Sequence, residues 1–492
     1  MRNAVQLITY ADRLGGTLAG LTALLDGPLS GLFAGVHVLP FYTPIDRADA
    51  GFDPIDHTLV DPRLGTWEDI ANLGRTADVM ADVVVNHISA DSPQFLDFLA
   101  RGQASPHAGM FLTFDRVFPS GATEAELLRI YRPRPGLPFT EVILGDRTRR
   151  IMWTTFTSQQ IDLDVHDPET VTYLHDILDR LAAAGVRVVR LDAVGYAVKT
   201  RGTPCFMTAE TLEFIAELRT WAFERGIETL VEIHSHYEQQ LAIAQRVDWV
   251  YDFCLGPLVL HALFTGSADA LLRWFAVRPR NAVTVLDTHD GIGVRDVGPD
   301  VSNRAAAGML SPDEIDVLVE QIHAHTGGES KLATGVAASN VDLYQVNTTY
   351  YDALGQDDEA HVIARLLQLF VPGVPQIYYI GLLCGTNDME LLARTGVGRD
   401  INRHRYLPAE VDAALGTPAV QDLMALIRFR NSHPAFGGTW SSEPRGQGGV
   451  GLRWDNGDEC AELVVDLAAR TFRLTFSASG SERTVTSAAA LR

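Results

Sequence analysis

Four short stretches end apolar runs in residues able to do acid–base or nucleophilic chemistry: Asp82-Val-Val-Val-Asn86-His87, Arg190-Leu-Asp192, Glu232-Ile-His234 and Asp287-Thr-His289-Asp290. Taken singly, each has a bland explanation as a structural ion pair or a hydrogen-bonded histidine. As a set they resist it, because carboxylates gathered in an apolar interior raise one another's pKa and destabilise the fold. Two chemical readings remain. Three carboxylates at strand ends could hold magnesium, but Arg190 would then set a cation beside the metal, and no strand end offers a lysine base. Alternatively, one carboxylate is a nucleophile and another an acid, about 5 Å apart, as retaining glycoside chemistry needs. On that reading Arg190 keeps Asp192 ionised by charge pairing. Glu232, facing two other acids, is pushed toward its neutral form. Asp290 favours an oxocarbenium-like transition state, with His87 and His289 as neutral hydrogen-bond partners.

Groups so far apart in sequence meet only if regular elements aim their ends at one point. The stretch Gly185 to Tyr196 reads as a buried strand, with Val186, Val188, Val189 and Leu191 as its apolar run. Arg190 and Asp192 alternate with Leu191, so they share one side of that strand. Before it, Val171, Leu174, Ile177, Leu178 and Leu181 recur at helical spacing, with Asp167 as cap, Pro168 in the first turn and Gly185 at the exit. Similar strand patterns recur at Val5–Thr9, Gly35–Pro40, Val79–Asn86, Val186–Ala193, Thr229–His234, Trp249–Phe253, Ala282–Thr288 and Pro375–Ile380, most separated by helical patterns such as Leu212–Phe223. Eight such units predict an α/β fold of the (β/α)8 barrel kind, with function at the carboxyl ends of the strands. A doubly wound open sheet is the alternative, but no Gly-x-Gly-x-x-Gly follows any strand.

Two connections are too long for a plain barrel. The barrel is therefore expected to comprise residues 1–85, 166–290 and 355–433, with an inserted subdomain at 86–165. A second insertion at 291–354 holds a helix over Pro312–His325 and a small-residue loop over Gly335–Asn347. Both leave from the strand-end rim and should roof the pocket. Residues 434–492 read as a small β domain with a hairpin signal at Asn456-Gly457.

The net charge of −22 argues against a nucleic-acid or anionic-membrane partner, yet a few arginines can still bind a small anion. Cys205, Cys254, Cys384 and Cys460 are too scattered for a disulfide framework or a zinc site. The amino terminus shows no secretory h-region, and the apolar stretch Val362–Leu383 is broken by Arg365, Pro372, Gly373 and Pro375. A cytoplasmic location is expected, in which the sequon at Asn347 is empty.

The stretches DVVVNH, GVRVVRLDAV, EIH and LDTHD resemble, in order, the signature motifs of the α-amylase family, glycoside hydrolase family 13, and Gln160–Asp164 resembles a further motif. VQLITYADRLGG, ADAGFDPIDHT, IYRPRPGLPFT, GTPCFMT, LDTHDGIGV, AASNVDLYQVN and GRDINRH are similar to the sucrose-cleaving phosphorylases of that family, from residue 1 to the end of the barrel. The resemblance implies Asp192 as nucleophile, Glu232 as acid/base and Asp290 as transition-state stabiliser. It implies that Asp49, His87, Arg190, His289 and Arg399 hold a glucosyl ring between the apolar walls Phe52 and Phe156. It places Arg134, Tyr196, His234, Asp342, Tyr344 and Gln345 on the acceptor side. The implied reaction converts sucrose and inorganic phosphate to α-glucose 1-phosphate and fructose through a covalent β-glucosyl–aspartate. No cofactor or metal is implied, and a homodimer is one expected assembly. The alternatives are sister phosphorylases of sucrose 6′-phosphate, glucosylglycerol or glucosylglycerate, a sucrose hydrolase or α-glucosidase, and a non-catalytic sugar-binding barrel.

Overall fold

Eight parallel strands close on themselves in chain order: β1 (Gln6–Thr9), β2 (Gly35–Val38), β3 (Asp78–Val84), β4 (Val188–Asp192), β5 (Glu228–Val231), β6 (Trp249–Asp252), β7 (Ala282–Thr284) and β8 (Val374–Tyr378). This computed structural model describes all residues except 133–135, 301–305, 336–339, 341–342 and 479, and the side chains of Ala48 and Asp49. Every strand expected from the sequence is a stave of the barrel. Several are shorter at the carboxyl end than the apolar pattern suggests. The β4–β5 ladder stops at Leu191↔Val231, and β7 ends at Thr284. Glu232, His234, His289 and Asp290 thus lie past the ladder, where the backbone is free to turn their side chains over the barrel mouth, while Asp287 turns to Arg365 of the helix Asp358–Phe370 at 2.8 Å.

The alternation along β4 divides the core. Val188 joins Met80, Leu230, Tyr251 and Val283 in a cluster inside the barrel, while Val189 and Leu191 belong to the larger core shared with the helices. Arg190 and Asp192 continue the inward side of Val188. The helix Pro168–Ala183 brings the chain into β4; the Asp167 side chain accepts from the Glu169 N–H at 3.0 Å, and Gly185 takes φ +78°. Only a residue without Cβ adopts that exit cheaply.

Between β3 and that helix, the chain forms two antiparallel pairs, His87–Ser89 with Gln160–Asp162 and Phe139–Ile143 with Arg149–Trp153. After β7, Ile292–Gly293 pairs with Gln345–Val346, and the helix Pro312–His325 starts on a Ser311/Glu314 capping box. The chain ends in a five-stranded antiparallel sheet, β9 (Thr439–Arg445), β10 (Gly449–Asn456), β11 (Glu459–Asp466), β12 (Thr471–Ala478) and β13 (Ser481–Val485). Trp454 of this sheet donates to the Phe370 carbonyl at 2.7 Å, fastening it to the helix Asp358–Phe370. The β10–β11 hairpin is present, but its turn lies one residue later than the sequence signal. Asn456 pairs with Glu459, so Gly457 (φ +62°) and Asp458 make the loop. Asn456 instead donates its side chain to the Pro434 carbonyl at 2.8 Å. Cys205, Cys254, Cys384 and Cys460 are all free thiols. Among the described residues no helix is long and apolar enough to cross a membrane.

Candidate active site

Arg190 is the hub of the barrel mouth. Register sets it level with Asp82 on β3, and its Nη1 lies 2.5 Å from Asp82 Oδ1 and 2.8 Å from Asp192 Oδ1. Its Nη2 reaches Glu232 Oε1 at 3.1 Å. One guanidinium therefore bridges Asp192 and Glu232 while also pairing with Asp82, in the planar fork geometry that arginine alone offers. Beneath them, Asp82 is also bonded to His37 at 3.0 Å. Burial pushes the Asp82 carboxyl up, but His37 and Arg190 outweigh it and leave it at about 2.

Asp192 behaves differently from the expectation that Arg190 keeps it ionised. The ion pair forms, yet burial dominates, and the negative charges of Glu232, Asp82 and Asp290 add to it. The Asp192 carboxyl is raised well above the ordinary range despite the pull of Arg190. A shared guanidinium neutralises one acid, and here several compete for it. Asp290 is the opposite case. Burial works to raise it, but Arg399 at 2.7 Å, with His234 and Arg403, holds it far below the usual carboxylate range. Asp290 is the fixed anion of the site.

Around these acids the walls are flat and aromatic. His289, kept neutral by burial with a pKa lowered to about 3, stacks on Phe52 at 4.9 Å and 9°. His87 approaches the Phe52 carbonyl at 3.1 Å, and its ring lies 5.3 Å from that of Phe156. A pocket at the barrel mouth is lined by Phe52, His87, Phe156, Asp192, Tyr196, Glu232, His289, Asp290, Tyr344 and Arg399, all expected from the sequence, together with Gln160 and Ala193. Apolar walls with a few converging polar groups suit a small-molecule site. Of the other expected residues, Arg190 forms the buried support below, and His234 stands beside Glu232 and Asp290 at 3.7 and 3.9 Å. Gln345 is buried on the short strand behind Tyr344 and donates to Asn347 at 3.1 Å instead of lining the pocket. Arg134 and Asp342 lie outside the described residues. Asp49 is placed only by its backbone, in the short turn Ala48–Gly51.

Sequence reasoning missed four contributors. Ala193, next to Asp192, adopts φ +54°, a left-handed conformation uncommon for alanine; no residue type signals it. Gln160 was legible only as part of a motif. Arg295 bonds the Tyr131 hydroxyl and sits 5.3 and 5.2 Å from the rings of Tyr131 and Tyr344. Asp296 holds His234 Nδ1 at 2.9 Å. Both lie in an insertion whose route the sequence does not reveal. Glu232, His234 and Asp290 are the group that could ligate a metal among the described residues. A cation there would have to displace Arg190 from Glu232 and Arg399 from Asp290.

What this site can do follows from its charges. Two acids bridged by one guanidinium face a third, permanently ionised acid across a narrow aromatic slot. A positive centre developing on a ring bound there is stabilised from both sides, and one acid can attack while its neighbour moves a proton. Fold and site together define a barrel enzyme of the retaining glycosyl-transfer class.

Comparisons with known proteins give the same class. A family model described as the α-amylase catalytic domain matches residues 6–246. A sucrose phosphorylase of Agrobacterium vitis is 57% identical over 98% of both chains. One from Bifidobacterium adolescentis is 54% identical over 95% of this chain and 92% of its own. The crystal structure of sucrose 6F-phosphate phosphorylase from Thermoanaerobacter thermosaccharolyticum superposes with a TM-score of 0.91 at 35% identity, covering 99% of each chain. The chain belongs to the α-amylase family and is an enzyme of its sucrose-phosphorylase type.

Proposed function

We propose that this protein transfers the glucosyl group of sucrose to inorganic phosphate, releasing D-fructose and α-D-glucose 1-phosphate. The observation that carries this reading is the Arg190 bridge between Asp192 and Glu232, set opposite an Asp290 held ionised by Arg399. An Asp192 oxygen attacks the anomeric carbon of the glucosyl ring as its bond to the fructosyl oxygen breaks. Glu232 gives that oxygen its proton, so fructose leaves neutral. The glycosidic oxygen accepts that proton from Glu232 while Arg190 holds Asp192 for attack. Asp290 stabilises the oxocarbenium-like charge in both steps. A protonated phosphate then attacks the same carbon, Glu232 takes its proton, and the Asp192 ester breaks. Two inversions give net retention.

On this reading His87, Arg190, His289, Arg399 and Asp49 grip the glucosyl ring between Phe52 and Phe156. Tyr196, His234, Tyr344, Gln345, Arg134 and Asp342 serve fructose and phosphate in turn. Residues 86–165 and 291–354 act as separate insertions roofing the barrel, with 434–492 as a supporting β domain. The reaction needs no organic cofactor or metal, because all charge stabilisation comes from side chains. Four free thiols suit a reducing cytoplasm, where phosphate is plentiful. A homodimer is the assembly to look for by light scattering.

The test is product analysis with sucrose, with and without phosphate. Equal amounts of α-glucose 1-phosphate and fructose, formed only with phosphate, are expected. Free glucose at the same rate in both mixtures would make water the acceptor. Turnover of sucrose 6′-phosphate but not sucrose would move the chain to the reaction named for its structural relative.

A further inference from the structure

Asp296 has no place in the reaction scheme above, yet it is fully buried and aimed at an acceptor-side residue. Its Oδ2 meets His234 Nδ1 at 2.9 Å, while its Oδ1 accepts from the Ser235 backbone N–H at 3.2 Å and from Gln240 Nε2 at 2.9 Å. The backbone is shaped for this carboxylate: a Cβ added at Gly293 would collide with Asp296 Oδ2. The far side of the His234 ring is different. Among the described residues Nε2 is buried without a hydrogen-bond partner, and it points between Glu232 (3.7 Å) and Asp290 (3.9 Å). Phe253 stacks on one face of the ring at 3.8 Å, and Tyr344 stands edge-on at 5.5 Å.

We propose that Asp296 is a positioning residue for phosphate: it fixes the His234 ring with Nδ1–H toward its own carboxylate, leaving Nε2–H to donate to an oxygen of the incoming anion. This rests on the phosphorolysis reading above. A phosphate entering beside Glu232 and Asp290 meets negative charge, and a neutral wall would not offset it. The groups facing His234 are Asp296 at Nδ1, Glu232 and Asp290 at Nε2, and the Tyr344 phenol. Burial opposes a charged ring, but Asp296 by charge and hydrogen bond, followed by Glu232 and Asp290, outweighs it and raises His234 above its usual value. Nε2–H is a buried donor that an anion's oxygen can accept from.

Asp296→Asn separates charge from position. The amide must turn its oxygen toward the two donors Ser235 and Gln240, which leaves its NH2 facing His234 Nδ1. Nδ1 then becomes an acceptor, and the ring is neutral with its proton on Nε2. The expected result is a rise of about tenfold in KM for phosphate and a larger share of glucosyl–enzyme lost to water. The basic limb of kcat/KM for phosphate should also move to lower pH, because the charged ring is lost at lower pH once Asp296 is gone. Gly293→Ala, which pushes the carboxylate off His234 without removing it, should shift the same three quantities the same way. It also serves as the test if the asparagine variant does not fold. A purely structural Asp296 would lower Tm and depress all rates together with the pH limb unmoved, and that result overturns the proposal. If the wild type makes no α-glucose 1-phosphate, the phosphorolysis reading itself falls. If it does, and both variants keep the wild-type phosphate KM, partition and pH limb, only the role of Asp296 falls.

Discussion

Asp192 is held at 2.8 Å by Arg190 while burial and three neighbouring acids push its carboxyl upward. A group bound in this way is kept for chemistry at the expense of stability. Asp192→Asn should therefore cost activity on the order of 10⁴-fold and yet raise Tm at neutral pH. The sign follows from linkage. A carboxyl whose folded pKa lies above its unfolded value binds protons more tightly when folded, so its ionisation on raising the pH destabilises the fold. Below the unfolded value of about 3.9 both states are protonated and wild type and variant should melt together. Above it the gap should widen until the folded pKa is passed. Calorimetry across a pH series reads this directly; a variant less stable than wild type at neutral pH would show that the Arg190 pairing outweighs burial after all. Asp290, held far below the usual range by Arg399, should show no comparable gain when neutralised.

At the level of elements, the Arg295 side chain links the two insertions beside the pocket. Arg295 follows the short strand Ile292–Gly293 of the second insertion, bonds the Tyr131 hydroxyl of the first, and lies against the Tyr344 ring that lines the pocket. Tyr131 in turn stacks near Tyr196 at 6.0 Å, also a lining residue. Two cation–π contacts of about 0.5–2 kcal/mol each hold these walls in register. Arg295→Leu should raise KM for sucrose and for phosphate roughly tenfold with kcat nearly unchanged; steady-state kinetics with each substrate varied will check it. Nothing in the sequence foretold this contact. The barrel was legible because each strand carries its own apolar run, and the helix Pro168–Ala183 because cap, first-turn proline and exit glycine agree with its periodicity. The acids were legible because they end those runs. What escaped depended on backbone leaving the ladder: the left-handed Ala193, the turn shifted to Gly457-Asp458, and the pairings of Arg295 and Asp296. Asp192 was legible as a residue but not as a titrating group, since its charge state is set first by burial and then by how many acids share one arginine.

The whole molecule sets a problem that the site solves locally. A net charge of −22 surrounds an enzyme whose proposed second substrate is an anion. At long range phosphate and α-glucose 1-phosphate are repelled, whereas sucrose and fructose are indifferent. Within the pocket, Arg190 and Arg399 supply positive charge at ion-pair distance to the acids, and His234 stands beside them. These contacts are buried, so salt screens them weakly, while the surface field is screened within about 10 Å at 0.1 M and about 30 Å at 0.01 M ionic strength. The two contributions therefore separate by salt. With phosphate varied and ionic strength held by sodium chloride, raising it from about 0.01 to about 0.1 M should lower KM for phosphate by roughly twofold to threefold. KM for sucrose should stay constant. The same change should appear for α-glucose 1-phosphate in the reverse direction and be absent for fructose. A phosphate KM that rises with salt would mean the reverse balance: the arginines and His234 would then project their charge beyond the rim and draw the anion in.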